Sequence, residues 1–183
     1  MKHVLVPIAD GTEELEAVCI IDILRRAGAG VTVASVTGQL QVTASRGVKL
    51  VADALITDCV GQSYDLIALP GGMPGAVHLR DAAPLTELLV AQAAAGRLYA
   101  AICAAPVVVL QHHGLLEGRR ATCHPGFEKD LRNPEAVQQR VVVDANCITS
   151  RGPGTAVEFA LRLVALLLGE ERAQEVGAGM LAP

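Results

Sequence analysis

Short apolar runs of buried-strand type alternate along this chain with longer segments of helical pattern. Most of the runs lack the polar alternation of a half-exposed strand, so we expect them to be covered on both faces. Glycine or proline residues mark many of the boundaries. The predicted strands are His3–Ile8, Val31–Val36, Leu40–Thr43, Val48–Ala52, Tyr64–Leu69, Leu98–Ile102, a short one near Arg120–Thr122, Arg140–Val143 and Cys147–Thr149. The predicted helices are Glu13–Ala27, Pro84–Ala95, Ala104–His113 and Thr155–Leu168.

The repeated alternation of strand and helix predicts an α/β fold with a mostly parallel sheet and helices on both faces. Asp10 or Thr12 is available to cap the first helix, and Thr155 with Glu158 has the spacing of a capping box at the last. Ligands of such sheets bind beyond the carboxyl ends of the strands. The turns that follow predicted strands at that edge are Ala9–Thr12, Pro70–Gly72, Cys103 and Gly152–Gly154. We therefore expect a functional site where these turns meet.

The composition indicates one domain over residues 1–183 and excludes several classes of partner. The chain is 51% hydrophobic, and no linker, charge block or repeat divides it. A net charge of −4 and an aromatic content of 2% provide neither the basic patch nor the stacking surface of a nucleic-acid-binding protein. No apolar run reaches the ~20 residues of a membrane-spanning helix. The first apolar run ends at Pro7–Asp10, too early for a signal peptide, so a cytoplasmic protein is expected.

Five cysteines form an odd set without regular spacing, which favours reduced thiols over disulfides. Among them, Cys103 joins the strand Leu98–Ile102 to the helix Ala104–His113. A residue at a strand-to-helix turn projects from the sheet, and the start of the helix favours the thiolate, which is the reactive form of cysteine. The alternative is that Cys103 is a small buried residue among apolar neighbours, as free cysteines usually are.

The first predicted helix carries a carboxylate on its apolar face. At about 100° per residue, Glu16 shares a stripe with Ile20 and Ile23. Acidic residues in a first turn also favour the helix dipole, which accounts for Glu13 and Glu14 because both can stay solvated, but accounts poorly for Glu16. A Glu16 whose pKa is raised by burial could donate a hydrogen bond to a nearby thiolate.

Five sequence blocks together resemble the ThiJ/PfpI superfamily. The match runs from Val4 to about Val176, and it is closest to the branch that holds Parkinson disease protein 7 and the bacterial protein YajL. The resemblance implies a flavodoxin-like three-layer sandwich, usually a cytoplasmic homodimer, and a role in carbonyl and oxidative stress. The blocks are Glu13–Glu16, Leu69–Gly72, Ala100–Pro106, His124–Pro125 and Ser150–Thr155.

The resemblance also implies roles for individual residues. Cys103 matches the nucleophile of the family, Glu16 its protonated carboxyl partner, and His124 the histidine near the cysteine. The backbone N–H groups of Gly72 and Ala104 match an anion pocket, and neither a cofactor nor a metal is implied. Secondary positions that the family would bring near the pocket or the dimer interface are Arg46, Arg26, Gly71 and Gly154.

Two departures from the family pattern bear on the function. Ala104 follows the nucleophile, where peptidase and amidotransferase relatives have histidine, and this counts against those activities. His124 is shared with the animal branch but absent from YajL-like sequences, which leaves the subfamily open. Apart from the resemblance, a lone histidine is more often a structural hydrogen-bonding residue. Cys123 beside it is a small buried residue, a resolving thiol for Cys103, or part of an adventitious metal set with Cys103, His124 and Glu16.

Two functions are expected from these features. The first is a cofactor-free cysteine enzyme that acts on glyoxals or early glycation adducts, with Glu16 or His124 moving a proton between carbons. The second is a redox-responsive chaperone or sensor in which Cys103 oxidises readily. An interaction subunit with a vestigial pocket is less favoured, because every pocket position holds a chemically competent residue.

Overall fold

Nine strands form a seven-stranded sheet and a separate hairpin within residues 1–182, which a computed structural model describes. The strands are β1 His3–Ile8, β2 Gly30–Ser35, β3 Gln41–Thr43, β4 Lys49–Val51, β5 Ala54–Leu55, β6 Leu66–Leu69, β7 Leu98–Ile102, β8 Val141–Asp144 and β9 Cys147–Ser150. The helices are α1 Glu14–Arg26, α2 Gly75–Asp81, α3 Ala83–Ala94, α4 Ala156–Leu168 and α5 Glu170–Gly179. A π-helical turn, Pro106–Gln111, follows β7.

The large sheet has the strand order β5-β2-β1-β6-β7-β9-β8. All neighbouring strands are parallel except β8 and β9, which are antiparallel. The chain moves from β1 outward to β2, and later returns to β6 on the other side of β1. The strand order therefore reverses between β1 and β6, and ligands bind at such a switch point in open α/β sheets. The fold is flavodoxin-like, which confirms the predicted fold class.

Helices cover both faces of the sheet and bury an aliphatic core. On one face α1 and α4 pack against the strands through Ile20, Leu24, Phe159 and Leu163, which are all fully buried. On the other face α3 and the π-helical turn cover the sheet, with Leu89 fully buried there. Of the helices in residues 1–182, none combines the length and apolarity needed to cross a bilayer.

The structure corrects several predicted elements. The segment near Arg120–Thr122 is not a strand, because the Thr122 amide donates to the Thr149 side chain instead of to a neighbouring backbone. The helix predicted over Ala104–His113 is mainly the π-helical turn Pro106–Gln111. The pattern did not predict β5, α2 or α5.

The predicted helix caps are also wrong. Thr12 Oγ1 accepts the Ala9 amide at 2.9 Å, and Asp10 Oδ1 accepts the Thr43 amide at 2.7 Å, so both side chains brace turns and neither caps α1. Thr155 Oγ1 accepts the Gly152 amide instead of capping α4. Glu158 pairs with Arg140 at 2.6 Å. These side chains stabilise the loops around the site instead of the helix ends.

Candidate active site

Four turns meet at the carboxyl edge of the sheet, as predicted. β1, β6, β7 and β9 are neighbouring parallel strands, so the turns that follow them lie side by side. Cys103 follows β7 directly and adopts a φ of 66°, which is uncommon for a residue with a side chain. Its amide donates to the Ser150 carbonyl at 3.0 Å, and its carbonyl accepts the His124 amide at 2.9 Å. The surrounding structure therefore holds Cys103 in a strained strand-to-helix turn, the geometry of a nucleophile elbow.

Glu16 is fully buried on the inner face of α1, as its position in the apolar stripe predicted. Its Oε2 accepts the Gly71 amide at 2.8 Å. Its Oε1 is buried, with no hydrogen-bond partner of standard geometry among the residues described. A buried carboxyl oxygen without a partner is costly as an anion but can carry a proton.

Glu16 and Cys103 form one electrostatic unit. Burial raises the pKa of Glu16 to about 7, and the negative charge of Glu13 adds to this, whereas hydrogen bonds from Gly71 and Cys103 lower it. Burial, together with the charge and hydrogen bonding of Glu16, raises the pKa of Cys103 to about 12. The position of Cys103 at the start of a helix predicted a lowered thiol pKa, whereas the structure raises this pKa. A thiolate at neutral pH requires Glu16 to keep the proton of the pair.

Backbone amides supply the opposing effect on the sulfur. Hydrogen bonds from the amides of Gly72 and Ala104 lower the pKa of Cys103. The Pro-Gly-Gly turn allows this close approach, because a Cβ on Gly71 would lie 2.6 Å from the Cys103 Cβ and 3.0 Å from Glu16 Oε2. Gly72 has a φ of 91°, and a Cβ there would lie 2.4 Å from the Glu13 amide nitrogen. Both glycines are therefore required by the geometry beside the sulfur.

His124 lies at the same edge, at the start of the 3-10 turn Pro125–Asp130. Its ring Nδ1 accepts the Gly126 amide at 3.0 Å. A Cβ on Gly152 would lie 3.4 Å from the ring Cδ2, so the ring is next to the turn that follows β9. The sequence predicted the position of His124, but the hydrogen bond from Gly126 was missed. The signal was present, since a polar side chain before Pro-Gly has the pattern of a capped turn.

Three of the secondary positions that the resemblance implied have surroundings other than the Cys103–Glu16 pair. Arg46 is exposed. Its amide donates to Glu14 at 2.8 Å, and its guanidinium donates to the Ser45 carbonyl. Arg26 lies at the opposite end of α1 from Glu16 and pairs with Asp22 at 2.6 Å, so within one chain it is not a pocket residue. Gly154 is exposed, and its carbonyl accepts a hydrogen bond from Arg140.

Glu14 differs from its expected environment. It was expected to remain in solvent, but it is only 8% exposed. Its Oε2 accepts the Ser45 hydroxyl at 2.7 Å, and this hydroxyl also lies 2.9 Å from Glu13 Oε2. The loop between β3 and β4 is thereby fixed against the start of α1, next to the buried pair.

The other candidate cysteine is buried. Cys123 has no solvent exposure, and burial raises its pKa to about 11. Within residues 1–182, no three His, Cys, Asp or Glu side chains are arranged to hold a metal ion. Arg151 pairs with Glu128 across from Cys123, an ion pair that the sequence did not predict and that connects the His124 turn to the end of β9.

A cavity away from these strand ends does not include the candidate nucleophile. It is a groove of about 810 Å³ between α4 and α5, and it includes Leu161, Arg162 and Glu170 but not Cys103. Its charged side chains are paired, as for Arg162 with Glu170 at 3.1 Å. A nucleophile beside a buried, unpaired carboxyl oxygen is stronger evidence for chemistry than volume alone. We therefore assign the candidate active site to the strand ends around Cys103.

The fold and this site define a class: a doubly wound α/β protein with a cysteine at a strand-to-helix turn and a buried carboxyl partner. The model of the DJ-1/PfpI family matches residues 2–166. The chain therefore belongs to the DJ-1/PfpI family, which confirms the resemblance that the sequence blocks carried.

Individual relatives agree with this assignment. Protein DJ-1 homolog B of Arabidopsis thaliana is 52% identical over 96% of this chain and 40% of its own length. The chain thus spans less than half the length of that plant relative. Glutathione-independent glyoxalase DJR-1.2 of Caenorhabditis elegans is 36% identical over 92% of this chain and 89% of its own length. The solved structure of oxidized Toxoplasma gondii DJ-1 superimposes with a TM-score of 0.97, at 49% identity, covering 100% of this chain and 99% of that one.

Proposed function

We propose that this protein is a cofactor-free cysteine enzyme that converts 2-oxoaldehydes such as methylglyoxal to 2-hydroxy acids. The observation that carries the proposal is the fully buried Glu16 beside the Cys103 thiol. Within residues 1–182, its Oε1 has no hydrogen-bond partner of standard geometry. A protonated Glu16 stabilises the thiolate by donating to it, and it supplies an acid–base group at the carbon to which the sulfur adds.

The proposed reaction needs no external oxidant or reductant. The Cys103 thiolate adds to the aldehyde carbon, and the new oxyanion takes a proton from Glu16 to give a hemithioacetal. The Glu16 carboxylate then removes the proton on that carbon, and the negative charge that moves to the neighbouring oxygen takes this proton back from Glu16 to give a neutral enediol. Glu16 next accepts the hydroxyl proton of the former aldehyde carbon and delivers it to the neighbouring carbon. The aldehyde carbon is oxidised to a thioester while the ketone carbon is reduced to an alcohol. Water hydrolyses the thioester, which releases lactate from methylglyoxal and restores the thiol.

Backbone amides support the first step. The N–H groups of Gly72 and Ala104 already approach the sulfur. Donors at this position stabilise negative charge on an oxygen bound to the attacked carbon. The name of the C. elegans relative as a glutathione-independent glyoxalase also supports this substrate class. Early glycation adducts of amines contain the same two-carbon unit, so deglycation is included in the proposal.

Lactate formation from methylglyoxal tests the proposal. Cys103→Ser and Glu16→Gln are each expected to lower kcat by at least about 10³-fold, because they remove the nucleophile and the proton carrier. Cys19→Ser and Glu158→Gln are matched controls at a partly exposed thiol and an exposed carboxylate, and both should keep wild-type turnover. Undiminished turnover in both site variants would refute the mechanism.

A second candidate function is a redox-responsive chaperone or sensor. It is favoured by the partial exposure of Cys103, next to an acid and two amide donors that suit an oxidised sulfur. The similar T. gondii DJ-1 structure is that of an oxidized protein, which is consistent with this candidate. Intact-mass spectrometry after mild peroxide treatment tests it. In wild type, the Cys103 sulfur should stop at two added oxygens, and in Glu16→Gln it should be oxidised further. Oxidation of other cysteines before Cys103 would exclude this second function.

The proposal includes a homodimer in the cytoplasm. Support for the dimer comes from apolar residues that are exposed on α1 and on the neighbouring β3–β4 hairpin. A group of exposed apolar residues marks an interaction surface, because leaving such a patch in contact with water is unfavourable. These residues are Leu15 at 49%, Val18 at 46%, Val48 at 48% and Val51 at 69% exposure. The cytoplasmic location remains a prediction from the irregular cysteine spacing.

A further inference from the structure

The orientation of the His124 ring is fixed by a backbone amide two residues later. Pro125 has no N–H, so Gly126 offers the first free amide of the turn, and it donates to His124 Nδ1 at 3.0 Å. The backbone of His124 is fixed as well, because its amide donates to the Cys103 carbonyl at 2.9 Å. A ring turned over about its axis would present a carbon to the Gly126 N–H, which would leave this donor without an acceptor.

This hydrogen bond determines where the ring carries its proton. An N–H group donates only to a nitrogen with a free lone pair, so Nδ1 is unprotonated. The neutral ring therefore carries its hydrogen on Nε2. Within residues 1–182, the hydrogen bonds of the His124 ring involve Nδ1 and not Nε2. The half-buried ring thus has an unused Nε2–H donor at the edge where Cys103 lies.

Resting on the proposed function, we infer that His124 donates a hydrogen bond from Nε2 to the second oxygen of the 2-oxoaldehyde and is not the base of the reaction. That oxygen gains negative charge when the hemithioacetal becomes an enediol, so a fixed neutral donor stabilises this step without a net proton transfer. The sequence allowed Glu16 or His124 as the proton carrier. A ring whose Nε2 already holds its hydrogen cannot take a proton there, so the transfer belongs to Glu16.

The tautomer is measured independently of turnover. In ¹⁵N NMR of the wild-type protein labelled at histidine, the His124 signals, assigned by their loss in His124→Asn, should show a protonated Nε2 and an unprotonated Nδ1 at neutral pH. A ring protonated at Nδ1, alone or together with Nε2, would overturn the inference. This result holds even if the protein proves inactive on methylglyoxal, so it separates the inference from the proposed function.

Two variants then distinguish a hydrogen-bond donor role of His124 from a purely structural role in its turn. Asn at position 124 retains an acceptor for the Gly126 amide and is a favoured capping residue, but it has no donor at the position of Nε2. We expect His124→Asn to keep the wild-type melting temperature within a few degrees and to lower kcat for methylglyoxal by about 10- to 100-fold. His124→Gln, whose longer amide brings an N–H toward that position without being basic, should recover at least part of the loss.

The outcomes are distinct. Wild-type kcat in His124→Asn would show that the residue only caps its turn, which would overturn the inference. Equal loss in the Asn and Gln variants would indicate a base and would also overturn it. Full turnover in Cys103→Ser, in contrast, would refute the proposed function and leave the tautomer result standing.

Discussion

The Glu16 carboxyl and the Cys103 thiol lie against each other in the protein interior, and burial raises the pKa of both groups. The two groups come from segments that are far apart in the sequence but meet at one edge of the sheet. Glu16 belongs to the first turn of α1, whereas Cys103 follows the strand β7. Gly71 packs beside both groups and donates its amide to the carboxyl at 2.8 Å. The pair therefore depends on three segments that only the folded sheet brings together.

Burial of Glu16 predicts a pH dependence of stability. The pair of Glu16 and Cys103 first loses a proton near the Glu16 pKa of about 7 in the folded protein, whereas an ordinary glutamate does so at 4.5, so the folded state binds more protons between these values. Stability from this group is therefore full below about pH 4.5 and falls by up to about 3 kcal/mol as the pH rises to about 7. Urea unfolding at about pH 5 and pH 8 should show this loss in wild type. It should be largely absent in Glu16→Gln and unchanged in Glu158→Gln; an unaltered loss in Glu16→Gln would contradict the assignment.

Substitution of Gly71 is expected to disturb the site more than the fold. A Cβ there would meet the Cys103 Cβ at 2.6 Å, so the nucleophile or the turn must move. Gly71→Ala should lower kcat for methylglyoxal by at least about tenfold, since small displacements of a reacting group are costly. Gly154→Ala is the matched control, because a Cβ there meets nothing within 4 Å. Wild-type kinetics in Gly71→Ala would contradict the prediction, because they would show that the close approach of residue 71 to Cys103 does not affect turnover.

The exposed apolar face of α1 predicts how the protein assembles. A charge at Val18 should disfavour burial of this face, so Val18→Asp should lower the molar mass measured by light scattering from that of a dimer to that of a monomer. Val90→Asp is the control, since Val90 is 47% exposed and Val18 is 46% exposed, but Val90 lies on α3, on the opposite face of the sheet. A dimer that survives in Val18→Asp, or dissociates equally in Val90→Asp, would place the interface elsewhere.

The principal site residues could be located from the sequence because each has a local signal. The helical period assigned Glu16 to a buried stripe, and the boundary between an apolar strand and a helix assigned Cys103 to a turn. Their convergence followed from the parallel topology, which brings the strand ends to one edge. The pKa directions could not be predicted, because they depend on which amides reach the sulfur and on the depth of burial.

The predictions that proved wrong concern side chains with several available partners. Thr12 and Thr155 have the residue type of helix caps, yet their hydroxyls accept backbone amides within tight turns instead. Arg26 was assigned by resemblance to the pocket or the dimer interface. Its position at the far end of α1 keeps it from the pocket of its own chain, and a role at the interface stays a prediction. The helix α2 was not predicted, because it is too short to show a clear apolar period. It begins at Gly75, which packs closely against Gly11.

The proton held by Glu16 is the central claim, and the pH dependence of Cys103 alkylation tests it most directly. The rate should be followed by peptide mapping, with Cys103→Ser to identify the modified peptide. If Glu16 and Cys103 share one proton, the rate rises as the pair first ionises near pH 7 and then reaches a plateau, and Glu16→Gln abolishes this step. A rate that shows no step near pH 7 and rises only as an isolated, buried thiol ionises toward a pKa of about 12 would contradict the account.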